Sequence, residues 1–352
     1  MARKRKYYRV ESLLKTGASY LVLLGMRSNG KSYAVKEKVL TDAFKEGKNF
    51  VYLRRWREDI KQAGVEAYFA DMPVDKITDG KYDAVVAWQG YLYFGIIDDL
   101  GKAERGQRIG RYCALNESVR YKSQAFVDYK YIVYEEFITD EVYLAEEPTK
   151  LQHFVSTVAR LEDLTVFLIG NTMSRVCPYS SEWNLQGTLR QKQGTIEVYH
   201  LHKPDGGIVD IAVENCEAIE NKSSMFFGTA AKQIVTGEWD VKESPRLPEK
   251  LDHYDECYRM DVKMQLMHFH VSLLVDPAGQ LLVYIFPGKH YKKGTRLITD
   301  AFTNDPMATR YPRKDSRAEL KMIECFRQGK VCYSDNLTAA DFNNTNRQYH
   351  IF

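Results

Sequence analysis

At 352 residues, with 28% charged and 44% hydrophobic side chains, the chain has a globular composition and is long enough for two domains. Its net charge of +3 excludes a bulk polycation, so any contact with nucleic acid has to come from local basic clusters. No run approaches a membrane span, and the start MARKRKYYRV lacks the apolar core of a secretion signal. The six cysteines (113, 177, 216, 257, 325 and 332) lack C-x-x-C spacing and read as reduced thiols of a cytoplasmic protein.

The first ten residues form a basic, aromatic arm, either a solvated terminus or a contact for phosphate or a neighbouring subunit. Apolar Tyr20 to Leu24 then run into Gly25-Met26-Arg27-Ser28-Asn29-Gly30-Lys31-Ser32. This is G-x-x-x-x-G-K-S, a phosphate-binding loop. Gly25 and Gly30 let the backbone bend so that Arg27, Ser28 and Asn29 line a phosphate with their N–H groups. Lys31 sets a cation on the β and γ phosphates, and the Ser32 hydroxyl ligates magnesium. A helical pattern follows (Ala34, Val35, Val39, Leu40, Ala43, Phe44), and the start of that helix favours the same anion. ATP with Mg2+ is the expected cofactor.

Asn49 to Arg54 reads as a second buried strand, and Tyr82–Trp88 with Tyr91–Ile97 as a hairpin turned at Gln89-Gly90. Asp98 to Gly110 is polar and basic and reads as a loop, Arg111 to Leu115 as a strand, and Asn116 as the cap of a short helix. In Lys130 to Phe137 (KYIVYEEF) an apolar strand ends in two acids, the pattern of a Walker B element. Glu135 then supports the metal and Glu136 polarises the attacking water. The first acid of such a pair is usually Asp, so Glu135 weakens the division of roles.

Pro148 to Leu161 has one apolar face, with Arg160 at its end. Leu164 to Ile169 is a buried strand tipped by Gly170-Asn171-Thr172, which puts Asn171 where a γ-phosphate sensor sits. Glu197–His202 and Ile208–Val213 complete the sheet or form a hairpin around Asp205-Gly206-Gly207. The expected class is α/β with a mostly parallel central sheet and ligands at the strands' carboxyl ends.

Beyond Cys216, Ser223 to Thr236 reads as a helix and Glu243 to Lys250 as a linker. Met267–Val275 and Leu281–Phe286 form a second hairpin, and a helix spans Arg317 to Gln328. A basic run from Lys289 to Arg296, with Arg310, Arg313, Lys314 and Arg317, makes this half the expected nucleic-acid surface. The alternating pairs His200/His202 and His268/His270 read as strand residues rather than ligands. Asp261, Asp276 and Asp300 read as turn and surface residues, without two-metal nuclease spacing. The expected domains are 1–215, a lid or linker over 216–250, and 251–352.

GMRSNGKS, YIVYEEF and FLIGNT together resemble the genome-packaging ATPases of small tailed bacteriophages with protein-primed replication, specifically across about residues 1–200. The resemblance implies an ASCE-type P-loop ATPase with a smaller C-terminal α+β domain, ribonuclease H-like but without its cleavage site. Arg27 would contact the γ-phosphate in cis, and Arg160, with Arg175 as its rival, would reach the neighbouring subunit's nucleotide. Arg54 and Arg55 would hold the catalytic glutamate inactive until DNA is gripped. It further implies a pentameric ring on the portal of an empty capsid in the host cytoplasm, beside a structural RNA, that drives double-stranded DNA inward without sequence preference. The rival readings are a large terminase that also cuts DNA, a non-hydrolysing nucleotide-binding assembly protein and a helicase.

Overall fold

The computed structural model describes residues 8–26, 29–139, 141–160, 163–172, 177–217, 243–264 and 266–352. It divides the chain into two compact units: Met1–Thr139 with Leu144–Thr172 and Gly187–Glu238, and Asp140–Tyr143 with Met173–Gln186 and Trp239–Phe352. Among the described residues no helix is long and apolar enough to cross a membrane. Arg27, Ser28, Arg175 and the expected helix over Ser223 to Thr236 lie outside the described residues.

The larger unit is built on one nine-stranded sheet. Its strands are β1 (Tyr20–Gly25), β2 (Asn49–Arg54), β3 (Ala84–Trp88), β4 (Tyr91–Ile97), β5 (Ala103–Ala114), β6 (Tyr129–Glu135), β7 (Thr165–Asn171), β8 (Thr195–His202) and β9 (Ile208–Asn215). Their order is β3-β4-β5-β2-β6-β7-β1-β9-β8. The six strands from β5 to β9 in this order run parallel, and antiparallel β4, β3 and β8 close the two sides. Parallel strands are covered on both faces and read as near-continuous apolar runs. The sequences YLVLLG and YKYIVYE are buried along almost their whole length for that reason.

A short helix α1 (Glu11–Leu14) precedes β1. Helix α2 (Lys31–Glu46) then joins β1 to β2, and Gly47 at φ 67° terminates it in the left-handed conformation that glycine adopts without strain. Its buried face, including Val35, Val39, Leu40 and Ala43, packs with Leu21, Leu23, Phe50 and Phe167 in the core. Burying each such side chain contributes about 1.5–3 kcal/mol. Helices α3 (Gln62–Phe69) and α4 (Val74–Ile77) cover the same core through Val65, Phe69 and Val74. Helix α5 (Glu147–Ala159) carries Pro148 in its first turn and buries Leu151, Phe154 and Val158.

The β3–β4 hairpin turns at Gln89 and Gly90 as expected, with φ 47° and 86°. Two expectations fail nearby. Lys102 to Gly110 is mostly strand rather than loop: β5 begins at Ala103, and a tight turn at Asp98–Lys102 lets it pair back along β4. Its first residues are exposed and carry charge instead of apolar alternation, which hid the strand. Asn116 caps nothing, because a 3-10 helix already begins at Leu115.

The smaller unit holds a helix α6 (Pro178–Glu182) and a six-stranded sheet. An antiparallel meander of β10 (Asp255–Met264), β11 (Met267–Val275) and β12 (Leu281–Pro287) forms its centre. Short β13 (Leu297–Thr299) adds in parallel beside β10, β14 (Ala308–Thr309) beside β13, and β15 (Val331–Tyr333) beside β12. Helices α7 (Arg317–Arg327) and α8 (Asn336–Tyr349) are capped by Ser316 and Asp335. Phe269, Phe326, Phe342 and Phe352 stack between helices and sheet.

Two sequence expectations are corrected here. Arg296 is not part of a basic surface: it is buried, with Nε 2.8 Å from Glu319. Asp261 is not a surface residue but a buried strand residue, 4% exposed.

Candidate functional site

Parallel pairing sets Gly25 opposite Asn171 and Glu135 opposite Ile169, so the carboxyl ends of β1, β6 and β7 meet at one edge of the sheet. A cavity of about 380 Å3 opens there, lined by Asn29, Gly30, Lys31, Ser32, Glu135, Glu136 and Asn171 among others. The structure therefore brings together every described residue that the sequence assigned to nucleotide or metal except Gly25, which abuts the loop. The described candidate that stays away is Arg160.

Gly25 takes φ 149°, and a Cβ there would lie 3.2–3.3 Å from Asn29 and Cys216, so the strand can leave for the loop only at a glycine. Gly30, at φ 93°, starts α2 in the left-handed region. Lys31 is buried, with Nζ 2.7 Å from the Met26 carbonyl and 3.2 Å from both the Gly25 carbonyl and Asn29 Oδ1. Burial lowers its pKa to about 8, against the raising influence of Cys216 and Glu135. Asn29 Nδ2 is buried without a hydrogen-bond partner among the described residues. An unpaired buried donor beside a lysine and a helix start suits an anion's oxygens.

The two acids occupy different environments. Glu135 is buried, accepts a hydrogen bond from the Tyr68 hydroxyl at 2.5 Å and lines the cavity together with Ser32. Burial raises its pKa, and the Tyr68 and Ser32 hydrogen bonds oppose that rise. Glu136 follows with a left-handed φ of 56°, a bend that costs a non-glycine residue roughly 1–2 kcal/mol. Its side chain is 57% exposed and bonds Arg54 Nη2 at 2.6 Å. The bend is fixed from below by Arg55, whose guanidinium donates to the carbonyls of Glu136 at 3.1 Å and Phe137 at 2.7 Å. Arg55 in turn is paired with fully buried Glu147 at 2.7 Å, and Tyr134 donates to the same carboxylate. Gly170 is required alongside, since a Cβ would come within 2.8 Å of the Phe137 ring.

Sequence reading missed Tyr68, Lys36, Asp71 and Glu147. Tyr68 stacks on Tyr52 with centroids 4.5 Å apart and carries Lys36 Nζ 4.6 Å above its ring, while Lys36 also pairs with Asp71. Tyr68 comes from α3, 67 residues before Glu135, Asp71 from its flank and Lys36 from α2, and no local spacing reveals their meeting. Glu147 had a signal: an acid placed at the start of an otherwise apolar-faced helix.

Arg160 caps α5 with φ 50°, is exposed and donates to the Gln124 carbonyl at 3.0 Å. It follows α5 and precedes β7, and Gln124 precedes β6. Arg160 therefore lies at the amino ends of the strands, at the opposite edge of the sheet from the cavity.

A parallel sheet that gathers a glycine-bounded loop, a buried lysine, a serine and a pair of glutamates at its carboxyl edge defines a P-loop protein of the nucleoside triphosphatase class. Within that class the chain belongs to the podovirus DNA encapsidation protein (Gp16) family, whose model matches residues 2–215. It is similar to the DNA packaging protein of Bacillus phage phi29, with 27% identity over 206 residues, which are 57% of each chain. The DNA packaging protein of Bacillus phage B103 is 25% identical over 187 residues, 52% of this chain and 53% of that one. The match thus spans little more than half the length of these relatives. The fold is shared with the bacteriophage Phi-29 viral genome packaging motor assembly, at TM-score 0.58 and 20% identity over 97% of this chain and 99% of that one. The Phi-28 gp11 DNA packaging motor gives TM-score 0.50 and 17% identity over 99% of each chain.

Proposed function

We propose that this chain is an ATP-driven motor that moves double-stranded viral DNA into an empty capsid. The observation that carries the proposal is the asymmetry of the acid pair. Buried Glu135 lines the cavity beside Ser32 of the phosphate loop, while exposed Glu136 faces the same cavity on the arm of Arg54. Pure nucleotide binding needs only the first acid; the second, held at the cavity wall, suits a general base that takes the proton of an attacking water.

Lys31 and the Asn29 amide bind phosphate oxygens, Arg27 contacts the γ-phosphate, and Asn171 on the neighbouring strand tip reads its presence. The oxygens of Ser32 and Glu135 are the donor set a magnesium ion takes, and the bound ion would neutralise phosphate charge. Tyr68 keeps Glu135 in place by donating to it. The Arg54–Glu136 ion pair holds the base off the water until the protein grips DNA.

The motor acts as a ring, expected to be a pentamer, with Arg160 rather than Arg175 offered to the next subunit's nucleotide. Its position away from its own cavity supports a role in trans. Partners are DNA read through its backbone, the viral portal or connector and a structural packaging RNA, on a procapsid in the host cytoplasm. The names of the phage relatives support packaging. The absence of cutting rests on the smaller unit, where Asp276 is spent on turn N–H groups.

The test is steady-state ATP hydrolysis with and without double-stranded DNA, followed by packaging into empty capsids. DNA-stimulated turnover and DNA uptake are the expected results. Tight ATP binding without turnover, even with capsids added, would overturn the proposal in favour of a structural nucleotide.

A further inference from the structure

In the smaller unit, strands β10 and β11 set three metal-ligating side chains on one face. Asp261 is the register partner of His270, and Lys263 that of His268, so the two imidazoles, two residues apart on β11, project from the same face as the carboxylate. His268 Nε2 lies 2.7 Å and His270 Nδ1 2.8 Å from the same oxygen, Asp261 Oδ1. The three side chains are 5%, 12% and 18% exposed, and their nitrogen and oxygen atoms lie within 4.8 Å of one another.

Two contacts order the cluster. Thr295 Oγ1 donates to Asp261 Oδ2 at 3.2 Å, leaving Oδ1 to the imidazoles. Gly288 makes room for the first ring, since a Cβ there would stand 2.5 Å from His268.

An ion pair alone does not account for the arrangement. His268 makes a hydrogen bond to Asp261, but His270 Nδ1, though as close, is not aligned for one and is a buried nitrogen without a hydrogen-bond partner among the described residues. One carboxylate oxygen thus faces two imidazole nitrogens and satisfies one.

We propose that Asp261, His268 and His270 form a binding site for a first-row divalent cation of the Zn2+ type, with at least one coordination position left open. Two imidazoles and a carboxylate are a donor set for Zn2+ or Fe2+ and suit Mg2+ poorly. Zinc bonds of about 2.0–2.2 Å to these atoms require the present separations to open to roughly 3.3 Å, a side-chain adjustment that leaves the strands in place. The site is independent of the nucleotide cavity and lies on a different sheet. The ion would bridge β10 and β11, the strand pair against which β13 and β12 are laid.

The experiment uses the full chain, stripped of metal and free of nucleotide, titrated with Co2+ as a spectroscopic stand-in for Zn2+. One equivalent should give visible d–d absorption of low-symmetry coordination without sulfur charge-transfer bands, and Zn2+ should displace it. Ser32→Ala should leave the signal intact, which separates this site from the phosphate loop. Asp261→Asn, His268→Gln and His270→Gln should each weaken binding by more than the ~10–100-fold that losing a supporting hydrogen-bond partner of a ligand costs. Zn2+ should also raise the melting temperature of the wild type and not of His268→Gln, a readout that holds if a carboxylate variant fails to fold. Absent Co2+ absorption in the wild type, or equal affinity in the histidine variants, overturns the proposal.

Discussion

The Arg54 guanidinium lies 2.6 Å from the Glu136 carboxylate at the rim of the nucleotide cavity. Arg54 is also 3.7 Å from Asp59, and Glu136 is more than half exposed, so water screens the pair. Exposed ion pairs contribute about 0.2–1 kcal/mol, enough to bias the position of a side chain and too little to hold the fold. A contact of this strength on a catalytic base is a restraint that a partner can release.

Arg54→Ala should therefore leave the melting temperature almost unchanged while raising ATP turnover without DNA. A free energy near 1 kcal/mol converts to a rise of up to about fivefold. The ratio of DNA-stimulated to basal turnover should shrink accordingly. A fall in basal turnover would show instead that Arg54 positions Glu136 for the reaction, and the restraint would have to be abandoned.

If Glu136 is the base proposed above, Glu136→Gln removes it and preserves the shape. ATP binding, measured by fluorescence or calorimetry, should stay near wild type, and turnover should drop about 10²–10⁴-fold, the usual contribution of a positioned base. Wild-type turnover in this variant would assign the proton transfer to another group.

The buried pair beneath the site behaves differently. Arg55 and Glu147 are both buried, and Tyr134 and the Leu144 N–H also donate to Glu147. Removing one partner leaves an uncompensated buried charge and costs about 3–5 kcal/mol. Glu147→Ala should thus lower stability by that amount in denaturant unfolding. Replacing both residues together by apolar ones of similar size should be far milder than the sum of the single changes, and a strictly additive double mutant would refute the coupling.

How much of this was legible in the chain depends on range. Gly25, Gly30, Lys31 and Ser32 act within eight residues of one another, so their chemistry is written in local spacing. Glu135 and Glu136 announce themselves because parallel strands end where ligands bind, and Asn171 follows by the same logic from β7. Tyr68 could not be read this way, because it is delivered by a helix whose docking is a tertiary fact. Asp261 was misread for the same reason: its meaning comes from the strand opposite. The first half of β5 reads as a loop in the sequence because an exposed ribbon carries no apolar alternation. Strand β10 and helix α8 were missed altogether, α8 because its polar residues outnumber its buried ones.

Lys31 sets a pH dependence whose sign can be worked out. Its pKa falls from 10.5 in the open chain to about 8 in the fold. Below pH 8 the lysine is charged in both states, and the fold bears the full cost of burying that charge. Between pH 8 and about 10.5 the unfolded chain binds the extra proton, so this residue's contribution to stability improves as pH rises. Nucleotide affinity should move the opposite way. Phosphates favour the ammonium, so ATP binding above pH 8 must take up a proton and should weaken by up to about tenfold per pH unit. Calorimetry in buffers of different ionisation enthalpy measures that uptake directly, and Lys31→Met should abolish it. Proton-independent binding between pH 8 and 10 would mean that Lys31 is not the group that meets the phosphates.

Arg160 tests the ring. It sits at the amino edge of the sheet, where it cannot serve the cavity of its own subunit, and its side chain donates to a carbonyl at the surface. Removing it should cost little stability, because exposed polar contacts contribute at most a few tenths of a kcal/mol. If it supplies charge to the neighbour's nucleotide, Arg160→Ala should lower turnover ~10³-fold or more, as the loss of an arginine finger does. The decisive arm mixes Arg160→Ala with Glu136→Gln. Each protein alone should be inactive, but a mixed ring contains interfaces that pair an intact arginine with an intact glutamate, and activity should partly return. Mixed rings that form, as shown by mass, yet stay as inactive as their parents would remove Arg160 from the reaction and leave Arg175 as the residue to test.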